Sequence, residues 1–319
     1  MDTISTLIAA GRLEASLVER AAGGVDWRWL DEGDAAEIDG AIAAPEGADV
    51  IARPIDFAPR LFLADMDSTM IGQECIDELA AEAGVGTRVA AITERAMRGE
   101  LDFEGALRER LALLEGLDAA VIDRLLATRI RPNPGARTLV QTLKSRGVRC
   151  ILVSGGFTAF ADVIGAQLGF DRIVSNTLGI ENGRLTGSVN GPVVDAARKL
   201  AVLEEERAQI PDGHVIAIGD GANDLPMLRA ADLGVTYHAK PAVAAEADAV
   251  IAHHGLDALL WGSASLAPTG RQARALPRSR PVRALPSRRM PAWPPHSRRR
   301  ARRAAASPCR SVHSRPPCR

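Results

Sequence analysis

Leu61-Phe62-Leu63-Ala64-Asp65-Met66-Asp67-Ser68-Thr69-Met70 joins an apolar run to two carboxylates one residue apart and then to two hydroxyls. The run reads as a buried strand that stops where polar chemistry begins. In extended backbone residues i and i+2 share a face, so Asp65 and Asp67 point into one crevice while Met66 points away. Carboxylates placed this way repel unless a cation or a shared proton sits between them. The other reading is a strand entering an Asp-Ser-Thr turn with solvated carboxylates. The surrounding sequence separates the two.

A chain of 319 residues is longer than one core usually needs, so two or three modules are expected. Its charge is uneven. Residues 263–319 hold 15 of the 39 basic side chains and none of the 40 acidic ones, which leaves 24 against 40 before them, a net of −16. An acidic body argues against nucleic acid as its main partner, since phosphate binding needs clustered positive charge. Cys75, Cys150, Cys309 and Cys318 show neither CxxC spacing nor a matching His cluster, so no zinc site or disulfide framework is indicated. Cys75 and Cys150 read as core residues of a reducing, cytoplasmic compartment. The N-terminal residues form neither a signal peptide nor a membrane span.

Residues 1–58 read as a small α+β module: a strand over 3–9, a helix over 13–22 stopped by Gly23-Gly24, and a second strand over 48–52, with Asp26-Trp27-Arg28-Trp29 packing against it. Pro54 and Pro59 mark a linker into the central strand. After Asp67 the pattern turns helical, over 74–83, 88–97, 103–114 and 119–129, with Gly84, Gly99 and Gly116 as stops and Asp102 as an N-cap. This helical insert, at about 72–132, ends at Arg131-Pro132-Asn133-Pro134-Gly135.

A helix over 136–146 and a buried strand over 148–153 follow, and the strand runs into a Ser154-Gly155-Gly156-Phe157 turn before the next helix. Such a turn presents backbone N–H groups to an anion. Asn182-Gly183 between two short runs predicts a β-hairpin flap. Lys199 falls on a helix over 195–209. A third strand over 214–218 ends in Gly219-Asp220-Gly221-Ala222-Asn223-Asp224, and 233–235 and 249–251 are the last strand candidates. Strands alternating with helices predict an α/β, Rossmann-like fold with a mostly parallel sheet, whose ligands bind at the carboxyl ends of the strands.

The Asp65/Asp67 pair, Ser154-Gly155, Lys199 and the Asp220/Asn223/Asp224 group all fall on that edge. Oxygen ligands without His or Cys suit Mg²⁺, which relieves the repulsion among Asp65, Asp220 and Asp224 and screens an incoming phosphate. Lys199 and the Ser154 hydroxyl add positive potential and a donor for phosphoryl oxygens.

In these motifs the sequence resembles the haloacid-dehalogenase-like phosphohydrolases, and over residues 60–260 the members that act on O-phospho-L-serine. Glu74-Cys75-Ile76-Asp77-Glu78-Leu79, Ala96-Met97-Arg98-Gly99 and Asp102-Phe103 through Arg108-Glu109-Arg110 in the insert carry that narrower likeness. The resemblance implies that Asp65 attacks phosphorus and that Asp67 protonates the leaving oxygen, then deprotonates water. It implies Mg²⁺ held by Asp65, Asp220 and the backbone carbonyl of Asp67, with Asp224 and Asn223 in support. It further implies Glu74 for the substrate ammonium, Arg110 for its carboxylate, Met97 and Phe103 over its carbon chain, and a place in serine biosynthesis. Residues 1–58 resemble a reduced version of the regulatory ACT-type module that precedes this domain in some bacterial members.

Another small phosphomonoester, such as phosphoethanolamine or a homoserine derivative, is the competing substrate class. Nucleic-acid binding through the basic tail is the competing function; there Trp293 is the one interleaved ring. An ion-pumping ATPase fails because no apolar stretch is long enough to span a bilayer. The tail, residues 263–319, has 10 of the 19 prolines and reads as disordered, with the composition of a GC-rich frame translated out of register. Oligomeric state, a homodimer included, is not legible in the sequence.

Overall fold

A computed structural model describes residues 13–19, 25–29, 49, 51, 57–210 and 212–260. The strand expected over 3–9 and the tail lie outside them, as does most of 48–52. Two strands come first, β1 (Leu13–Glu19) and β2 (Val25–Trp29), antiparallel with Leu13 opposite Trp29 and Glu19 opposite Val25. This corrects the helix expected over 13–22. Apolar residues at 13, 15 and 17 alternate as a strand requires, while 13, 17, 18, 21 and 22 also satisfy helical spacing; pairing with β2 selects the period of two.

The central strand β3 is Pro59–Ala64, so Pro59 opens the strand rather than the linker before it. Between it and the next strand lie α1 (Cys75–Glu82), α2 (Gly86–Met97), α3 (Phe103–Ala112), α4 (Ala120–Thr128) and α5 (Ala136–Ser145). Asp102 caps α3 as expected, accepting from the Gly105 amide at 2.7 Å. There follow β4 (Arg149–Phe157), α6 (Thr158–Leu168), β5 (Arg172–Glu181), β6 (Arg184–Asn190), α7 (Ala196–Arg207), β7 (His214–Gly219), α8 (Leu225–Ala230), β8 (Leu233–Tyr237), α9 (Pro241–Ala244) and β9 (Ala249–Ile251). A 3-10 segment, Leu256–Leu260, follows β9.

The seven strands from β3 onward lie in the order β6-β5-β4-β3-β7-β8-β9, parallel except for the β5–β6 hairpin. The expected α/β fold is thus present, with β3 at its middle. Phe62 packs on one face with Leu139 and Leu143 of α5 and Phe160 and Ile164 of α6. Leu61 and Leu63 pack on the other with Val202 and Leu203 of α7 and Met227 and Leu228 of α8. A strand covered on both faces must be apolar at every position, which is why this run shows no alternation.

The hairpin turn uses Asn182 and Gly183 at φ 49 and 75, the pair of positive values its two-residue loop requires. Its β6 strand is bound to the helical insert: the Gly116 amide donates to the Leu185 carbonyl at 2.8 Å, and the Leu185 amide donates to the Leu117 carbonyl at 2.9 Å. One expectation is corrected at β4. Ser154-Gly155-Gly156 is not a turn after the strand but part of it. Opposite β5 the register jumps from Val153↔Val174 to Phe157↔Asn176, so β4 bulges by two residues there. No helix among the described residues is long and apolar enough to cross a membrane.

Candidate active site

Beyond Ala64 the chain doubles back so tightly that the Ile71 amide donates to the Met66 carbonyl at 3.0 Å. Inside this turn Asp67 stays extended, while Ser68 sits at φ 55, a left-handed conformation uncommon outside glycine. The Asp65 amide donates to Ile218 of β7 at 3.0 Å, which continues the parallel ladder one residue past β3. Asn133 holds the far side of the turn, its Nδ2 donating to the Thr69 carbonyl at 2.8 Å.

Lys199 lies in the first turn of α7, whose N-cap Asp195 accepts from the Arg198 amide at 2.8 Å. It is fully buried, with Nζ 2.8 Å from Asp65 Oδ1 and donating to Asp224 Oδ1 at 2.6 Å. A lysine is buried this way only when its charge is matched. Burial works against that charge, but the carboxylates of Asp224 and Asp65 override it and hold the ammonium above its ordinary range. The other oxygen of Asp224 accepts from the amides of Asp220, at 3.3 Å, and Gly221, at 3.1 Å. Asp224 thereby fixes both the lysine and the Gly-Asp-Gly loop.

Burial raises the Asp65 carboxyl well above the usual carboxylate range; Lys199 opposes this, and Asp224 and Asp220 add to it. Asp220, which accepts from Thr69 Oγ1 at 3.0 Å, is pushed up to about 7, by burial first and then by Asp224 and Glu74. Asp65, Asp220 and Asp224 each offer an oxygen, and these atoms lie within 4.8 Å of one another. An all-oxygen set with negative charge in excess of its one ammonium fits a hard divalent cation. The Asp67 carboxylate stands outside this set.

Asp67 is half-buried, and burial first, then Glu74, raises its carboxyl to about 7. The Cys75 amide lies 3.4 Å from its Oδ1. Glu74, exposed at the mouth of the crevice, accepts from Ser68 Oγ at 2.6 Å. Protein crowded around the Glu74 carboxyl raises its pKa against that hydrogen bond. Arg110, half-buried on α3, has its Nε tied to the Ala106 carbonyl at 3.2 Å. Burial lowers its pKa, and the charges of Asp77 and Glu74 counter this. The two insert charges thus lie close enough to act on one another.

Ser154 is buried, its Oγ accepting from the Gly156 amide at 2.9 Å. A Cβ on Gly155 would lie 3.0 Å from the Phe103 ring, so the glycine lets the insert close onto the bulge. Phe103 is therefore brought to the site, while Met97 stands 66% exposed at the end of α2 with Sδ 3.9 Å from Lys240 Nζ. Asn223 lies against Gly221 in the loop after β7. Sequence reasoning missed Asn176, a buried amide in β5 that bonds to the Gly155 carbonyl. Its signal was a polar residue inside a strand, which becomes informative only when the bulge opposite is known.

Residues 62–229 match the family model of haloacid dehalogenase-like hydrolases. The chain is 44% identical over 263 residues to the phosphoserine phosphatase of Streptomyces coelicolor, covering 81% of this chain and 63% of that relative. It is 49% identical over 208 residues to the phosphoserine phosphatase of a Polaromonas species, covering 63% of this chain and 88% of that relative. A solved structure of a phospho-aspartyl intermediate analogue of phosphoserine phosphatase superposes with a TM-score of 0.59 at 38% identity, over 64% of this chain and 98% of that one. The chain therefore spans less than two thirds of the Streptomyces relative and most of the shorter one.

Proposed function

The chain belongs to the haloacid dehalogenase-like hydrolase family, and from that premise we propose that it is a Mg²⁺-dependent phosphoserine phosphatase, releasing L-serine and phosphate from O-phospho-L-serine. The observation that carries this reading is the pairing of two sites. Lys199 pairs with Asp65 at the end of β3, Glu74 accepts from Ser68 in the turn that follows, and the Arg110 charge on the insert acts on Glu74. Phosphoserine has an ammonium and a carboxylate next to its phosphate, and this crevice offers one anion and one cation beyond the phosphate-binding groups.

In the first step an oxygen of Asp65 forms a bond to phosphorus as the bond from phosphorus to the serine oxygen breaks. Asp67, with a carboxyl that can be protonated near neutrality, gives its proton to that oxygen. In the second step water attacks the phosphorus of the aspartyl phosphate, Asp67 takes the proton back, and phosphate leaves with Asp65 restored. Lys199 keeps the Asp65 carboxylate oriented, and the Ser154 hydroxyl, whose lone pair is engaged by Gly156, has its proton free for a phosphoryl oxygen. Mg²⁺, held by Asp65, Asp220 and the Asp67 carbonyl with Asp224 behind them, would neutralise the carboxylates and the phosphoryl oxygens.

The reading implies work in the cytoplasm at the serine-forming step of amino-acid biosynthesis, a setting in which the buried free thiols Cys75 and Cys150 persist. The test is phosphate release from O-phospho-L-serine, phosphoethanolamine, O-phosphohomoserine and sugar phosphates, with and without Mg²⁺. Phosphoserine should have the highest kcat/KM, and only with the metal. Faster turnover of a substrate lacking the carboxylate would overturn the substrate assignment.

A further inference from the structure

The bulge in β4 leaves a peptide group without a ladder partner. Between Val153 and Phe157 the strand advances four residues while β5 advances two, from Val174 to Asn176, so the carbonyl of Gly155 cannot find a β5 backbone amide in register. Asn176 Nδ2 donates to it instead, at 2.8 Å. The other end of the same peptide unit, the Gly156 N–H, donates to Ser154 Oγ at 2.9 Å. One plane is therefore clamped from behind by Asn176 and from the site side by Ser154. Asn176 also accepts from the Val194 amide at 2.8 Å through Oδ1, and its own carbonyl receives Thr158 Oγ1 at 2.7 Å. Val194 directly precedes Asp195, the cap of the helix that carries Lys199.

We infer that Asn176 is a positioning residue for phosphate binding: its amide holds the Ser154–Gly156 bulge and the start of α7 at fixed separation, so that the Ser154 hydroxyl and the Lys199 ammonium meet the phosphate together. The residue is 2% exposed, touches no reacting atom, and uses donor and acceptor on two different segments. A buried amide spent this way is costly unless both bonds are made. The inference rests on the phosphatase reading only in that the bulge receives a phosphate.

The experiment is calorimetric binding of inorganic phosphate to the Mg²⁺-loaded protein, with p-nitrophenyl phosphate turnover alongside. Asn176→Leu keeps the branching and the number of heavy atoms, adds no charge and removes both bonds. Asn176→Asp keeps the acceptor for Val194 and loses the donor to Gly155. Both should weaken phosphate binding by about tenfold or more, since displacements of about 1 Å at such sites can cost up to about 100-fold. KM should rise more than kcat falls. Binding within twofold of wild type in both variants would overturn the inference. If neither variant folds, Asn176→Gln moves the donor by one methylene, and an unchanged phosphate affinity there would overturn it equally. The two readings fail differently. Wild-type protein that binds phosphate but does not hydrolyse phosphoserine defeats the substrate assignment alone, and variants that bind phosphate normally defeat the role of Asn176 alone.

Discussion

Gly156 and Asp67 share one space: a Cβ on Gly156 would lie 2.5 Å from Asp67 Oδ2 and 2.9 Å from the Met66 terminal carbon. The bulge and the turn after β3 are thus packed backbone against carboxylate. Gly156 has no positive φ, so alanine meets no backbone strain there; the conflict is with the Asp67 carboxylate, the proposed acid–base group. Gly156→Ala should fold and should lower kcat within the range of about 10²–10⁴ that proton transfer contributes. A variant with wild-type kcat would show that Asp67 can move freely, against the geometry.

Asp67→Asn removes the proposed proton carrier at nearly constant volume. Both protonation of the leaving oxygen and activation of water should slow, each on the scale of about 10²–10⁴-fold. Because the second step suffers too, phosphoenzyme on Asp65 should accumulate and be seen by mass spectrometry after quenching. Unchanged kinetics would take Asp67 out of the reaction.

The sequence made the site legible where chemistry and period coincide. Asp65 and Asp67 end an apolar run, Asn182-Gly183 supplies positive φ, and Asp102 stands three residues before the amide it caps. It was silent where meaning depends on a partner far along the chain. The helix expected over 13–22 was a strand because periods of two and 3.6 coincide over so short a run, and only β2 separates them. Ser154-Gly155-Gly156 looked like a turn because glycines usually mark one; its extended, bulged form depends on β5. Asn176 is invisible for the same reason. The exposure of Met97 follows from how α2 ends, which no local pattern encodes.

On the proposed reading, metal binding by Asp65, Asp220 and Asp224 can be followed without any turnover. Mg²⁺ in excess should raise Tm, since binding to the folded state stabilises it by about 2.7 kcal/mol at a hundred times Kd. Asp220→Asn should show a smaller rise. In EDTA the same variant should melt at or above wild type, because the burial and then the repulsion that push Asp220 up to about 7 no longer act on a neutral amide. Equal Mg²⁺ shifts in the two proteins would remove Asp220 from the metal set.

Away from the site, the Glu206 side chain is 1% exposed and accepts from Arg149 Nε at 2.5 Å and Arg172 Nη1 at 2.7 Å. These bonds, Arg149 first, hold its carboxyl below the ordinary value of 4.5. A depressed folded pKa gives stability that is present above the unfolded value and lost as pH falls through the folded one. Glu206→Gln should therefore cost about 1.5–3 kcal/mol at pH 7, the range for hydrogen bonds to charged groups. The partly exposed arginines favour the lower part of it. In urea titrations the gap between wild type and variant should shrink below about pH 4.5. A gap independent of pH would mean that packing, not charge, accounts for the loss.

Arg110 supplies the sharpest test of substrate choice. Its Nε donates to the Ala106 carbonyl, and burial opposes its charge against the attraction of Asp77 and Glu74. A substrate carboxylate would match it with two parallel hydrogen bonds, a stronger arrangement than a single contact. Phosphoethanolamine carries the ammonium and the phosphate but lacks that group. Arg110→Ala should therefore raise KM for phosphoserine by about 10–100-fold, the equivalent of about 1.4–3 kcal/mol from charged hydrogen bonds, and leave KM for phosphoethanolamine within about threefold. Because binding of the carboxylate is the same before and during reaction, kcat for phosphoserine should fall less than kcat/KM. Equal losses on the two substrates would mean that Arg110 braces Asp77 and Glu74 rather than reading the carboxylate, and the preference for phosphoserine would then have to come from elsewhere in the insert.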